Sequence, residues 1–265
     1  MIRIWHQSFT ELQQLPAYQQ AMEAHVRRVV RSDTEVVLHG VKPGTYPSNY
    51  PGTDIAHSAL YTLHASQWIT QALKASDEGF DAYAMCTLPN PFIREIRSIV
   101  DMPVVGYGES SFHMACMLGH RFGLMVFIAP MVQLYREQID HYGLSGRCAG
   151  VKPVGFTFHD VLKNWNDPGP LIERFEQSAA ELIAAGADVI IPGEMPLNIL
   201  LASNGITNFK GVQVLDGLAV TLKMAESLVE LKRSVGLTQS RHGWLSAKPS
   251  RDRINQVLDF YGLKI

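Results

Sequence analysis

The chain has 265 residues, of which 46% are apolar and 18% charged, enough to bury a substantial core in one or two domains. Its 23 Lys and Arg residues nearly balance its 25 Asp and Glu residues, which argues against binding to nucleic acid or an anionic membrane surface. The first residues do not resemble a signal peptide, so we expect a cytoplasmic protein. Three cysteines in unrelated contexts argue against a disulfide framework or a zinc site, so we expect reduced thiols and no bound metal.

Short apolar or β-branched runs alternate with longer segments of helical periodicity, a pattern typical of an α/β protein with parallel sheets. Eight strands are too many for one short sheet, so we expect two sheets. The predicted strands are 2–5, 35–39, 82–86, 104–106, 123–127, 151–155, 189–192 and 212–215. The predicted helices include 57–78, 92–100, 111–118, 132–142, 171–185, 197–204, 218–235 and 251–261.

Two segments of the chain resemble each other, which indicates an internal duplication. Residues 79–89 align without a gap on residues 186–196, and each segment has a Gly-x-Asp turn, an apolar strand and then a polar residue entering a proline-containing loop. The duplication predicts two similar lobes with Thr87 and Glu194 at equivalent strand ends on either side of a cleft. Parallel sheets bind ligands at the carboxyl ends of their strands, so this cleft is the expected site.

The sequence resembles the aspartate/glutamate/hydantoin racemase superfamily, and is most similar to its hydantoin racemase-like branch. The resemblance lies in residues 4–9, 81–91, 103–109, 118–123, 142–144 and 186–191, with 104–123 the most specific stretch. It implies two pseudo-symmetric lobes, each with a parallel four-stranded sheet flanked by helices. It also implies cofactor-independent chemistry in which two cysteines face each other across the cleft as paired acid and base, and it makes a homo-oligomer the expectation. We place one lobe at 1–109 plus 217–265 and the other at 110–216.

The chain departs from the family at both cysteine positions, which fall on Thr87 and Glu194. Glu194 is either a general acid/base with a raised pKa or a carboxylate that satisfies amides at a helix start. Thr87 can hydrogen-bond a substrate carbonyl or act as a weak nucleophile. Cys86 is either the second acid/base, turned inward by an irregular strand end, or a small buried apolar residue, since strand side chains alternate faces.

Five further polar residues are candidates for holding the substrate. Gln7 and Ser8 end the first strand, where the family has a substrate-contacting loop. Ser110 and Ser111 are expected to open the helix toward 118, where they would either cradle a carboxylate or carbonyl or cap the helix. Asp216 is either an orienting group behind the site or a helix cap.

Two segments bear on specificity. Residues 127–130 carry no hydroxyl donors where many relatives have them, so the substrate can have an apolar or aromatic part. Residues 42–52 contain two tyrosines and form either a lid or a plain surface connection.

We therefore expect an enzyme that moves a proton at or beside a carbonyl carbon of a small carboxylate or cyclic amide, with catalytic candidates Glu194, Thr87 and Cys86. Two alternatives stay open. The first is a one-base hydrolase or decarboxylase on the same scaffold, since Thr87 is a poor acid. The second is a noncatalytic ligand-binding protein.

Overall fold

The computed structural model describes residues 1–48 and 50–263. Within these ranges the strands are β1 (Ile2–Gln7), β2 (Thr34–His39), β3 (Ala82–Met85), β4 (Val104–Gly106), β5 (Phe122–Val126), β6 (Cys148–Pro153), β7 (Val189–Pro192), β8 (Asn208–Phe209) and β9 (Val212–Val214). The helices in the same ranges are α1 (Pro16–Val29), α2 (Gly52–Ile55), α3 (Ser58–Asp77), α4 (Ile93–Ile99), α5 (Tyr107–Leu118), α6 (Val132–His141), α7 (Phe158–Lys163), α8 (Gly169–Ala184), α9 (Met195–Ser203), α10 (Gly217–Val235) and α11 (Arg251–Phe260).

The strands form two sheets with the same topology. The first has the order β2-β1-β3-β4 and is parallel throughout, and the second begins with the corresponding order β6-β5-β7-β9. β3 and β7 therefore occupy equivalent inner positions. The α/β class and the two parallel sheets flanked by helices are confirmed, and the matching strand orders agree with the duplication inferred from the sequence.

The second sheet has one strand more than the sequence predicted. The short β8 pairs antiparallel with β9 through Asn208–Gln213 and Phe209–Val212. A turn at Lys210 and Gly211, both with positive φ, reverses the chain between the two strands. A two-residue strand is too short to show the alternating pattern by which longer strands are recognised.

The two Gly-x-Asp turns have the same structural role in both sheets. Gly79 and Gly186 adopt positive φ values of 73° and 95°, conformations that end the preceding helices and that glycine adopts readily. The carboxylate of Asp81 accepts the backbone N–H of Arg3 at 2.8 Å, and that of Asp188 accepts the N–H of Arg121 at 2.8 Å. Each aspartate thus ties the start of an inner strand to the neighbouring strand.

The chain returns to the first sheet after β9. Helix α10 contacts β1, β3 and β4 of that sheet as well as α5. The segment beyond it follows the surface of the body, where Gln239 donates to the Met102 carbonyl at 2.7 Å and Arg241 contacts Asp101 at 2.9 Å. The lobe boundaries stay a prediction. None of the helices in the described ranges is both long and apolar enough to cross a membrane.

Candidate functional site

Glu194 lies two residues after the end of β7, at the start of α9. Its backbone is extended, with φ −110° and ψ 145°, and its side chain does not cap the helix that follows. Instead the carboxylate reaches the end of β5, where Oε2 accepts the backbone N–H of Phe127 at 2.8 Å. The alternative of a carboxylate that caps α9 is therefore not what the structure shows.

Burial raises the pKa of Glu194 to about 8, while hydrogen bonds from the amides of Phe127 and Ile128 and from Tyr135 act in the opposite direction. The side chain keeps part of its surface open to solvent. A carboxyl with this pKa has substantial populations of acid and base forms near neutral pH, which is the requirement for proton transfer to and from carbon. None of the ion pairs among the described residues involves Glu194, so no ion pair holds it in the charged form.

Thr87 occupies the equivalent position in the first lobe, two residues after β3. It is partly exposed, and its carbonyl accepts the Asn90 side-chain amide at 2.8 Å. The next residue, Leu88, reaches across to the other lobe, since a Cβ built on Gly193 would lie 2.9 Å from a Leu88 methyl group. The loops after β3 and β7 are therefore in contact, which brings the Thr87 and Glu194 segments together as the duplication predicted.

Cys86 does not share the exposure of Thr87. It follows β3 directly, its N–H donates to the Gln7 carbonyl at 2.8 Å, and its side chain is 1% exposed within the apolar core. Burial raises the pKa of the thiol well above its usual range. A thiolate at this position is therefore strongly disfavoured, and this placement does not favour Cys86 as the second base.

Two tyrosines from different parts of the chain lie near the Glu194 carboxyl. The hydroxyl of Tyr135, on α6, lies 3.5 Å from Oε1 of Glu194. Burial, followed by the charge of Glu194, raises the pKa of Tyr50 to about 12. Tyr50 comes from the first lobe, and its ring lies 6.1 Å from that of Phe158 on α7 of the second lobe. Tyr61, also of the first lobe, donates to the Pro89 carbonyl at 3.2 Å.

A second aromatic contact joins the lobes through α1. Tyr18 is fully buried, with its ring 5.7 Å from Phe158 and 6.4 Å from Trp165. Its hydroxyl has no hydrogen-bond partner within residues 1–48 and 50–263. Tyr18 and Tyr50 both lie against Phe158, so these rings join the N-terminal part of the chain to α7. That the substrate carries an apolar or aromatic part stays a prediction.

Gln7 and Ser8 lie at the carboxyl end of β1, but both are buried and already bonded within the protein. The Gln7 amide accepts from the Trp5 indole at 3.0 Å and donates to the Gly40 carbonyl at 2.9 Å. The Ser8 hydroxyl accepts the Thr10 N–H at 3.3 Å. The structure thus gives Gln7 a role in joining β1 to the segment after β2, and substrate binding by either residue stays a prediction.

The prediction that Ser110 and Ser111 open their helix is wrong, because α5 begins a full turn earlier, at Tyr107. β4 runs into α5 without a loop, and the Glu109 N–H in the first turn is satisfied by the Asn90 side chain at 3.1 Å. Ser110 is 5% exposed and Ser111 is fully buried. The Ser111 hydroxyl has no hydrogen-bond partner in the part of the chain that the structure describes, so its expected role in substrate binding stays a prediction.

Asp216 caps α10, and it also belongs to a polar network. Its Oδ1 accepts the Ala219 N–H at 3.0 Å and the Asn198 side-chain amide at 2.9 Å, while Oδ2 lies 2.9 Å from His25 Nε2. Burial alone would raise the pKa of Asp216, but the bonds from His25 and Asn198 hold it below its ordinary value. Asp216 is therefore a helix cap, and this role is compatible with the predicted role of an orienting group behind the site.

Several residues at the site were not identified from the sequence. Asn90 connects the Thr87 loop to α5, while Tyr135 and Tyr50 approach Glu194 from different lobes. Of these three residues, only Tyr50 could have been suspected from the sequence, because it lies in the tyrosine-containing segment 42–52 that we considered as a lid. Asn90 and Tyr135 are ordinary loop and helix residues whose importance depends on contacts distant in sequence.

Comparison with known proteins identifies the family of this chain. The family model described as Asp/Glu/Hydantoin racemase matches residues 16–225. The hydantoin racemase of Pseudomonas sp. (strain NS671) is 27% identical over 218 residues, covering 81% of this chain and 82% of that protein.

Solved structures give the same result. Allantoin racemase from Klebsiella pneumoniae superposes with a TM-score of 0.76 at 25% identity, covering 95% of each chain. Allantoin racemase from Pseudomonas fluorescens has the same fold, with a TM-score of 0.74 at 24% identity over 94% of this chain and 97% of that one. The chain is thus an isomerase-type enzyme that belongs to the Asp/Glu/hydantoin racemase family.

Proposed function

We propose that this enzyme racemises a cyclic amide or small carboxylate at the carbon beside a carbonyl group, with Glu194 as general acid and base. The observation that carries the proposal is the Glu194 carboxyl itself, which follows β7, has a pKa raised by burial to about 8, and accepts the Phe127 amide. Relatives named hydantoin racemase and allantoin racemase favour a five-membered cyclic ureide as the substrate class.

In the proposed reaction, the Glu194 carboxylate removes the proton from the acidic carbon, and the electron pair moves onto the neighbouring carbonyl oxygen. The Thr87, Ser110 and Ser111 hydroxyls are the proposed donors to that oxygen. For racemisation, an acid on the Thr87 side of the cleft then donates a proton to the opposite face of the carbon as the electron pair returns from the oxygen. That acid regains a proton from solvent, and the proton held by Glu194 is released to solvent. The Tyr50 and Tyr135 side chains, which lie near Glu194, would exclude water and receive a substituent on the ring.

The second face of the substrate distinguishes this proposal from its alternative. Two-base racemisation needs a competent acid opposite Glu194, and Thr87 is a poor one while Cys86 is buried with a raised pKa. This observation favours, as the second candidate, a one-base reaction in which Glu194 activates water for ring opening or supports decarboxylation with one-sided protonation. Such a change of chemistry is compatible with the fold because activity is set by the site.

Proton NMR in deuterated buffer tests the proposal on a panel of hydantoins, allantoin, amino acids, cyclic imides and arylmalonates. We expect the wild type to exchange the proton on the carbon beside the carbonyl and to erase optical rotation, with both effects lost in Glu194→Gln. Glu173→Gln, an exposed position on α8, is the matched control.

Ring-opened or decarboxylated products would replace the racemase proposal with the one-base alternative. Tight binding without turnover would instead identify a ligand-binding protein. The expected cofactor independence, homo-oligomer and cytoplasmic location stay predictions.

A further inference from the structure

The proposed reaction leaves unexplained a buried polar chain behind Glu194. We propose that Tyr107 is a positioning residue, whose hydroxyl fixes the backbone that carries the Glu194 carboxyl. This inference rests on the proposed function for the consequence in catalysis, but the geometry can be tested separately.

Tyr107 is the first residue of α5 and is fully buried. Its hydroxyl lies 2.5 Å from the carbonyl oxygen of Pro192 and 3.0 Å from Asn198 Oδ1. Since the hydroxyl has one proton, the short contact identifies the Pro192 carbonyl as its main acceptor. Pro192 ends β7, two residues before Glu194.

The peptide between Pro192 and Gly193 is held on both sides. Its carbonyl accepts from Tyr107, and its N–H, which belongs to Gly193, donates to the Met125 carbonyl at 2.7 Å. A Cβ on Gly193 would lie 2.3 Å from that Met125 oxygen, so the close approach requires glycine. Rotation of this peptide would redirect the chain at Glu194, and the two bonds oppose such rotation.

The other side of Glu194 is fixed through Asn198. This residue lies on α9, four positions after Glu194, and its N–H donates to the Glu194 carbonyl at 3.1 Å. Its side chain accepts the Gly217 N–H at 2.7 Å and donates to Asp216 at 2.9 Å. The chain of contacts therefore runs from the start of α10 through Asn198 to Tyr107 and Pro192.

Glu194 thus lies between two anchored backbone points, which sets the direction of its side chain toward the Phe127 amide. Loss of the Tyr107 hydroxyl would leave the Pro192 carbonyl without its donor. A displacement of about 1 Å at a catalytic group can reduce a rate on the order of a hundredfold. The effect should fall on kcat because the hydroxyl does not contact substrate.

The test compares Tyr107→Phe with Tyr83→Phe. Tyr83 is the matched control, since it is fully buried and donates one hydrogen bond to the Trp68 carbonyl at 3.2 Å. We expect Tyr107→Phe to lower kcat for proton exchange roughly tenfold to a hundredfold with KM changed less than about twofold. We expect Tyr83→Phe to keep both values.

A second measurement does not depend on activity. Carbon-13 NMR of glutamate-labelled protein, with the Glu194 carboxyl signal assigned from Glu194→Gln, gives its titration midpoint. In Tyr107→Phe this midpoint should fall from about 8 toward the ordinary glutamate value, because a loosened loop admits water, whereas Tyr83→Phe should leave it unchanged.

Unchanged kcat and midpoint in Tyr107→Phe would overturn the positioning role, as would equal changes in the two variants. If the wild type turns over no compound in the panel, the proposed reaction fails, and the titration alone decides the inference. A midpoint that moves only in Tyr107→Phe supports it in that case as well.

Discussion

Glu194 should make the stability of this protein depend on pH in a way that Glu194→Gln removes. Its folded-state pKa is about 8 against an ordinary value of 4.5. Below pH 4.5 the carboxyl is protonated in both folded and unfolded chains. Between pH 4.5 and about 8 the carboxyl ionises mainly in the unfolded chain, so the free energy of unfolding falls as the pH rises. Above the folded-state pKa the carboxyl is ionised in both states, and the folded protein bears the full cost of burying the charge.

The size of this effect follows from the shift. Raising the pKa of Glu194 from 4.5 to about 8 corresponds to a ceiling of about 5 kcal/mol in the free energy of unfolding. Glu194 keeps part of its surface in solvent, which screens the cost, so we expect about 2–3 kcal/mol. Glutamine has a similar shape and stays neutral, so Glu194→Gln should be more stable than the wild type by this amount above about pH 8.

Urea denaturation followed by circular dichroism at about pH 5, about pH 7 and about pH 9 measures the difference. The excess stability of Glu194→Gln should be small at the lowest pH and grow with each step. Glu173→Gln, which replaces an exposed carboxylate in the same lobe, should parallel the wild type. A Glu194→Gln profile that is also parallel to the wild type would mean that the carboxyl is solvated and would remove the basis for its role as a base.

Two further predictions concern the loops at the strand ends. Gly193→Ala should lower the free energy of unfolding by about 1–3 kcal/mol, because the new methyl group would meet the Met125 carbonyl, whereas Gly146→Ala, which meets no atom within 4 Å, should cost much less. Equal urea midpoints for the two variants would contradict this packing. A thiol reagent should leave Cys86 unlabelled in the folded protein and label it after unfolding, while the other two cysteines, both partly exposed, provide the internal comparison by mass spectrometry. Rapid labelling of folded Cys86 would place its thiol in the cleft and restore the two-base mechanism.

The sequence alone was sufficient for the fold class, and the position of the site stays a prediction. Each of the eight predicted strands overlaps a strand of the structure, because runs of apolar and β-branched residues are typical of parallel strands. The repeated Gly-x-Asp turn gave the correspondence between Thr87 and Glu194. The two turns correspond because the aspartate of each accepts a backbone N–H at the start of the neighbouring strand.

Other features required the tertiary structure. The start of α5 at Tyr107 could not be read locally, since the Asn90 side chain that satisfies its first turn lies in another loop. The short strand β8 carries too few residues for a pattern, and α1 was not among the predicted helices.

Packing likewise decided the pKa of Glu194 and the direction in which the Cys86 thiol points. The sequence indicated that Glu194 follows a buried strand, but its pKa depends on burial and on amides from β5, which are distant in sequence. The path of the chain after β3 determines whether Cys86 faces the cleft or the core. The structure places the thiol in the core. The sequence by itself determined which residues stand at the two strand ends. Tertiary structure decided their chemistry, because desolvation and hydrogen bonding arise from elements that are distant in sequence and meet only in the folded protein.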